Sequence, residues 1–253
     1  MVDYDTLHSI WSRSHAAGSP AKFVRDEVIC RELATLVPGK TLDAGCGTGE
    51  YSILLERLGH RITAFDPSPA AVETMKASLD GGSRIELQMN SIEACDPGTT
   101  FDHVVCIEVL EHLEDDRRAL LKLHSLLKPG GTLILSVPSE PRLYSVGDRI
   151  SGHFRRYSHA GLISLVKESG FSSIEAKKYG FPVLYLYSII RKLFLDRLLI
   201  RFFSAGESRA ASNRKWILQK MYAILFRMDL RDTCFPGTGI VLKCHKQANC
   251  EDE

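Results

Sequence analysis

The chain has 253 residues, 44% hydrophobic and 25% charged, and its 32 basic residues offset 31 acidic ones to a formal charge of +1. That length suits one large α/β domain with an elaboration, and the near-neutral total gives no global sign of a nucleic-acid binder. The seven cysteines are scattered with no C-x-x-C pair, and Met1 to His15 mixes Asp, His, Ser and Arg where a secretory leader would be apolar, so the expected compartment is a reducing cytoplasm.

Val2 to Gly18 is polar with a few apolar residues, among them Trp11. It reads either as a short helix closing over a ligand or as a docked leader helix. Phe23, Val28, Leu33 and Leu36 give a helical stripe through Ala21 to Val37, stopped by Pro38-Gly39. Together these segments make an expected N-terminal lid over residues 1–37.

The next stretch, TLDAGCGTGEY from Thr41 to Tyr51, organises the rest. A β-type run ends at Asp43, Gly45, Gly47 and Gly49 alternate, and the helical pattern of Tyr51, Leu54, Leu55 and Leu58 begins. A strand, a glycine turn and a helix start expose bare backbone and unpaired N–H groups, where a carboxylate or phosphate can sit. A dinucleotide loop needs a small residue three places after its second glycine, and Glu50 stands there. The pattern instead resembles the first motif of the class I methyltransferases, which bind S-adenosylmethionine.

Arg61 to Phe65 is the second expected strand, ending at Asp66-Pro67-Ser68. A carboxylate there can take both ribose hydroxyls, and the same residues can also cap the following helix, Ala70 to Leu79. Arg84 to Met89 is a third strand, which puts Asn90, Ser91 and Ile92 beyond its carboxyl end. Phe101 to Ile107 is apolar throughout, as for a strand buried on both faces. It runs into Glu108, Glu111 and His112, two acids and an imidazole expected to converge on a cofactor's reactive end. A helix from Asp116 to Leu127, a turn at Lys128-Pro129-Gly130-Gly131 and a strand from Thr132 to Val137 follow.

LDAGCGTGE, FDPSP, FDHVVCIEVLEHLED and LLKPGGTLILSVP, in this order, resemble the small-molecule class I methyltransferases of the ubiquinone-biosynthesis type. The resemblance implies a Rossmann-like, doubly wound, mostly parallel α/β sheet of seven strands and S-adenosylmethionine as cofactor. It assigns Asp43, Gly45 and Gly47 to the methionine moiety, Asp66 to the ribose, Asn90, Ser91 and Ile92 to the adenine, and Glu108 to the pocket lining, with Pro67 also among the cofactor-binding residues. The core of this reading spans residues 38–179.

Ser139 to Tyr157 lies past the fifth strand and carries Tyr144, His153, Arg155, Arg156 and Tyr157. These are candidates for an acceptor pocket, or else a basic surface loop. Ala160 to Ser169 is the next helix and Ser173 to Tyr179 the next strand. Residues 180–236 form an expected helical insertion before the last strand and tail, 237–253. From Lys177 to Arg231 there are twelve basic and three acidic residues, and the charges break every apolar run short of a membrane span. A cap over an apolar acceptor, a peripheral membrane contact through 181–231 and a homodimer surface are the readings for it.

The expected reaction is methyl transfer to a small apolar or amphiphilic acceptor, with O-methylation favoured over N- or C-methylation and His112 or His153 as base. No metal is expected, since Glu111 and His112 are adjacent and not at ligand spacing. No nucleic-acid acceptor is expected either, because basic and stacking aromatic residues do not alternate. The competing readings are a nucleotide-dependent oxidoreductase and a non-catalytic S-adenosylmethionine-binding protein at a membrane.

Overall fold

The computed structural model describes residues 20–190, 192 and 235–248. Seven strands make one sheet: β1 (Lys40–Ala44), β2 (Arg61–Asp66), β3 (Glu86–Met89), β4 (Phe101–Ile107), β5 (Leu127–Pro138), β6 (Phe171–Tyr179) and β7 (Gly239–Lys246). Their order is β3-β2-β1-β4-β5-β7-β6, parallel from β3 through β5, with β7 antiparallel to both its neighbours. The strand order turns back between β1 and β4, the crevice where doubly wound sheets hold ligands beyond the carboxyl ends.

The helices are α1 (Pro20–Leu33), α2 (Glu50–Arg57), α3 (Pro69–Ser78), α4 (Asp116–Leu126), α5 (Val146–Ile150), α6 (His159–Glu168) and α7 (Val183–Ile190). They cover both faces, and the period of two along β4 feeds each face alternately. Val104 and Cys106 join Leu42, Phe65, Phe101, Leu120 and Leu123 on one side. Val105 and Ile107 join Val24, Ile29, Leu33, Leu54, Leu55 and Ile62 on the other.

The structure differs from the sequence expectation in three places. Val24, Ile29 and Leu33 of α1 are fully buried, so this helix is part of the core and not a lid; residues 1–19, with Trp11, lie outside the described residues. The Lys128-Pro129-Gly130-Gly131 turn is absorbed into β5 as a bulge, since Leu127 pairs with Phe101 and Thr132 with His103. Between β5 and α6, where a loop was expected, the chain makes the short helix α5.

The 180–236 insertion is described only at its ends. Thr238 N donates to Tyr179 O at 2.8 Å, and Phe181 stacks on Phe235 with ring centroids 5.0 Å apart. A Cβ on Gly237 would stand 2.2 Å from Tyr179 O, so only glycine permits that approach. Tyr179, Gly239 and Pro138 are in register, and the insertion therefore leaves and rejoins the sheet at its carboxyl edge. The basic remainder of 181–231 lies outside the described residues, Lys192 excepted. Among the described residues no helix is long and apolar enough to cross a membrane.

Candidate active site

The carboxyl edge gathers the glycine loop, the tips of β2 and β3, and the turn after β4. All three loop glycines have positive φ, 81° at Gly45, 54° at Gly47 and 85° at Gly49. A Cβ on Gly45 would stand 2.5 Å from Val109 and one on Gly49 2.6 Å from Met75, whereas one on Gly47 would meet nothing within 4 Å. Gly45 and Gly49 thus let the turn pack on its neighbours. Gly47 keeps the open side, where a ligand can lie against backbone.

Two acids frame this turn. Asp43, buried at the end of β1, accepts from Ser52 Oγ at 2.6 Å; burial, with the charge of Asp66 adding to it, pushes its carboxyl up to about 6. Asp66 accepts from Gly47 N at 2.9 Å and from Ser68 N at 2.9 Å. The cap of α3 is Ser68, whose hydroxyl accepts from Ala71 N, so Asp66 is left with the loop. Each of its oxygens holds one N–H and keeps a lone pair for a ligand hydroxyl. Pro67 is exposed beside it.

Asn90 N donates to Asp66 O at 3.2 Å, which ties the third strand's tip to the second's. Its side-chain oxygen accepts from Ser91 N at 2.9 Å. Ile92 does not fit its expected adenine contact: it is 3% exposed and packs in the core with Phe65 and Cys95, because the first turn after β3 folds its apolar side chain inward.

At the end of β4, Glu108 has φ 54°, unusual for a side chain with a Cβ. Its carboxylate accepts from Ser136 Oγ at 2.9 Å and from Arg25 Nη1 of α1 at 3.2 Å. The chain then makes a single 3-10 turn, Leu110–His112. Glu111 within it is fully buried, and neither carboxylate oxygen has a hydrogen-bond partner among the described residues. Burial and the nearby Glu108 hold its carboxyl well above the usual range.

The loop after β5 folds back onto this turn. Phe154 N donates to Glu111 O at 2.7 Å, bringing the His153 ring edge-on to His112 with centroids 4.7 Å apart. Burial and the facing His153 push the His112 imidazole below its usual pKa, so it is neutral near pH 7. His153 Nδ1 lies 3.1 Å from Asp148 Oδ1. Asp148 also accepts from Arg156 Nε at 2.8 Å and from Ser145 N and Oγ at 2.8 and 2.9 Å. Although burial opposes it, these bonds hold the Asp148 carboxyl well below its usual pKa.

A methyltransferase domain family matches residues 21–176, from α1 through most of β6. The chain belongs to the methyltransferase domain family. The ubiquinone biosynthesis O-methyltransferase, mitochondrial, of Schizosaccharomyces pombe is 46% identical over 108 residues, 41% of this chain and 39% of that protein. The ubiquinone biosynthesis O-methyltransferase of Xanthomonas euvesicatoria is 39% identical over 116 residues, 45% of this chain and 48% of that one. The matched segment thus spans less than half of these relatives. The N-methyltransferase NodS of Bradyrhizobium japonicum, solved with S-adenosylhomocysteine, superposes with a TM-score of 0.57 at 17% identity, covering 96% of this chain and 97% of NodS; that likeness shows the fold.

Within this methyltransferase fold the acceptor-pocket residues take other duties. Arg155 Nη1 donates to Asp116 Oδ2 at 2.9 Å, and so does the Tyr157 hydroxyl at 2.9 Å. Tyr157 is 6% exposed and sits in the core, which corrects its placement on the acceptor. Tyr144 donates its hydroxyl to His153 O at 2.7 Å, and Arg156 holds Asp148. All four brace the loop that presents His153, since cations and hydroxyls with buried acceptors in reach are satisfied there first. Sequence reading missed Asp148, whose signal was the Ser145-x-x-Asp148 capping box of α5, and Arg25, for which no signal was visible.

Proposed function

We propose that this protein is an S-adenosylmethionine-dependent methyltransferase that methylates a hydroxyl of a small apolar or amphiphilic acceptor. The observation that carries the reading is the carboxyl edge itself: a glycine turn open only at Gly47 and flanked by Asp66, at the same edge of the sheet as the turn of Glu108, Glu111 and His112 and the His153 ring that meets it. The residues fit the cofactor, because the open backbone at Gly47 and the lone pairs left on Asp66 are what an amino-acid tail and a ribose require. When bound, S-adenosylmethionine supplies an electrophilic methyl group with its leaving group already activated.

In this reading Asp43 braces the loop from below, Asp66 takes ribose hydroxyls, and Asn90 with Ser91 borders the adenine. Glu108, oriented by Ser136 and Arg25, faces the cationic end. The remaining task is to align an acceptor oxygen and remove its proton, for which the imidazoles of His112 and His153 are placed. The names of the two relatives favour oxygen as the methylated atom. The apolar residues Leu186, Tyr187 and Ile190, exposed on α7 just past the carboxyl end of β6, favour an amphiphilic acceptor.

Calorimetry with S-adenosylmethionine should give one site per chain, abolished by Asp66→Ala. In an acceptor screen, His112→Ala and His153→Ala should each lower turnover by about 10²-fold or more while cofactor affinity changes only a few-fold. Absence of cofactor binding in the wild-type chain overturns the reading.

A further inference from the structure

The amino edge of the sheet, opposite the cofactor crevice, holds a cavity of about 730 Å³, whose wall includes the first residues of β1 and β2, Lys40 and Arg61. That volume suits a small organic ligand. Lys40 and Arg61 are register partners. Arg84, also in the wall, stands two residues before Glu86 of β3, as Arg61 stands two before Glu86's partner Thr63. Lys128, in the bulge of β5, is the fourth cation.

Two acids line the cavity as well, and other donors already hold both. Asp102 accepts from Lys128 Nζ at 2.7 Å and from Lys40 N at 2.8 Å. Glu56 accepts from Arg84 N at 2.6 Å and from Ser83 Oγ at 3.0 Å. Lys40 Nζ donates to Thr99 Oγ1 at 2.8 Å. The guanidinium groups of Arg61 and Arg84 are left with no partner among the described residues, and like charges gathered at neighbouring strand starts repel until an anion joins them. His60 is an independent observation at the same wall. It is 5% exposed, its Nδ1 lies 2.8 Å from Thr41 Oγ1, and its Nε2 is buried with no hydrogen-bond partner among the described residues. Native proteins normally relieve such an atom with a ligand or an ordered water.

We infer that this cavity binds a small hydrophilic anion carrying two phosphate groups, a diphosphate or bisphosphate ester, held between Arg61 and Arg84. A planar guanidinium takes phosphate oxygens in pairs, and two unpaired forks suit two phosphates. The rest of the ligand is polar, because among the described residues of the wall Pro38 is the only one with an aliphatic side chain and none is Phe, Tyr or Trp. The 6 residues of β2 put roughly 17 Å between this edge and Asp66. The ligand therefore does not meet the cofactor, and the site stands apart from the methyltransferase reading.

The probe is inorganic pyrophosphate, titrated calorimetrically into the full chain at constant ionic strength, and one site per chain is expected. Arg61→Gln and Arg84→Gln should each weaken binding by about 10-fold, and the two together by about 100-fold. Both side chains are exposed and unpartnered, so these variants should melt at the wild-type temperature. Arg61→Lys combined with Arg84→Lys keeps the charge and removes the forks, and should still lose about 10-fold or more. S-adenosylmethionine should leave the pyrophosphate titration unchanged. Absence of saturable binding, a double lysine variant that binds as the wild type does, or displacement by S-adenosylmethionine overturns the site. A single-stranded oligonucleotide that binds through both arginines where pyrophosphate does not overturns the assignment to a small ligand.

Discussion

Two of the three loop glycines are fixed by different neighbours, Gly45 by Val109 and Gly49 by Met75, and Gly47 by none. Gly49 is closed in by Met75, so Gly49→Ala adds a clash to a left-handed backbone that itself costs about 1–2 kcal/mol for a residue with a Cβ. Urea melts should show Gly49→Ala losing more than Gly47→Ala, with Met75→Ala restoring part of the difference when combined with Gly49→Ala. At the other edge of the sheet, His60 is 5% exposed, and burial, with His103 beside it, pushes its imidazole down to about 4. The unfolded chain then binds a proton that the folded one refuses. Stability is full above about pH 6.5 and falls as the pH drops toward 4, by on the order of 3 kcal/mol. In His60→Gln that part of the pH dependence should vanish from denaturation curves taken across this window. The positions of Asp66 and Glu108 at the carboxyl edge could be read because each stands at the end of a strand the sequence shows. Asp148 could not, because its partners Arg156 and His153 meet it only when α5 turns the loop back.

Among the elements, α1 shows best how periodicity falls short. The apolar spacing announced a helix, yet nothing in it said which surface the stripe meets. Val24, Ile29 and Leu33 pack with Val105 and Ile134 of the central strands. Ile29→Ala should therefore cost about 2–5 kcal/mol in chemical denaturation, the range for truncating a core residue, where a lid residue would cost far less. The same docking carries Arg25 to Glu108, so α1 contributes to the site's electrostatics. The turn expected at Lys128 to Gly131 was misjudged for a related reason: glycines with proline look alike in a reversal and in a bulge, and only the pairing of Leu127 with Phe101 distinguishes them.

For the whole molecule, the insertion leaves and returns beside Tyr179 and Gly239 at the carboxyl edge of the sheet, and the sequence from Lys177 near the end of β6 to Arg231 carries twelve basic against three acidic residues. A basic, apolar segment so placed is suited to anionic lipid. The full chain should sediment with phosphatidylserine vesicles at low salt and stay in the supernatant at high salt or with phosphatidylcholine alone. Equal sedimentation with both lipids removes the charge-based contact.

What the sequence determined unaided was local and repetitive: the strands, the longer helices between them, the glycine turn and the acids at the strand tips. Each of these follows from short-range periodicity and from backbone that only glycine can adopt. The tertiary structure decided which side chains meet across the edge. Glu111, His112 and His153 converge, while Arg155, Arg156 and Tyr157 are engaged by Asp116 and Asp148. Such contacts join residues far apart in the chain, and their geometry is set by how whole elements dock, which no local pattern encodes.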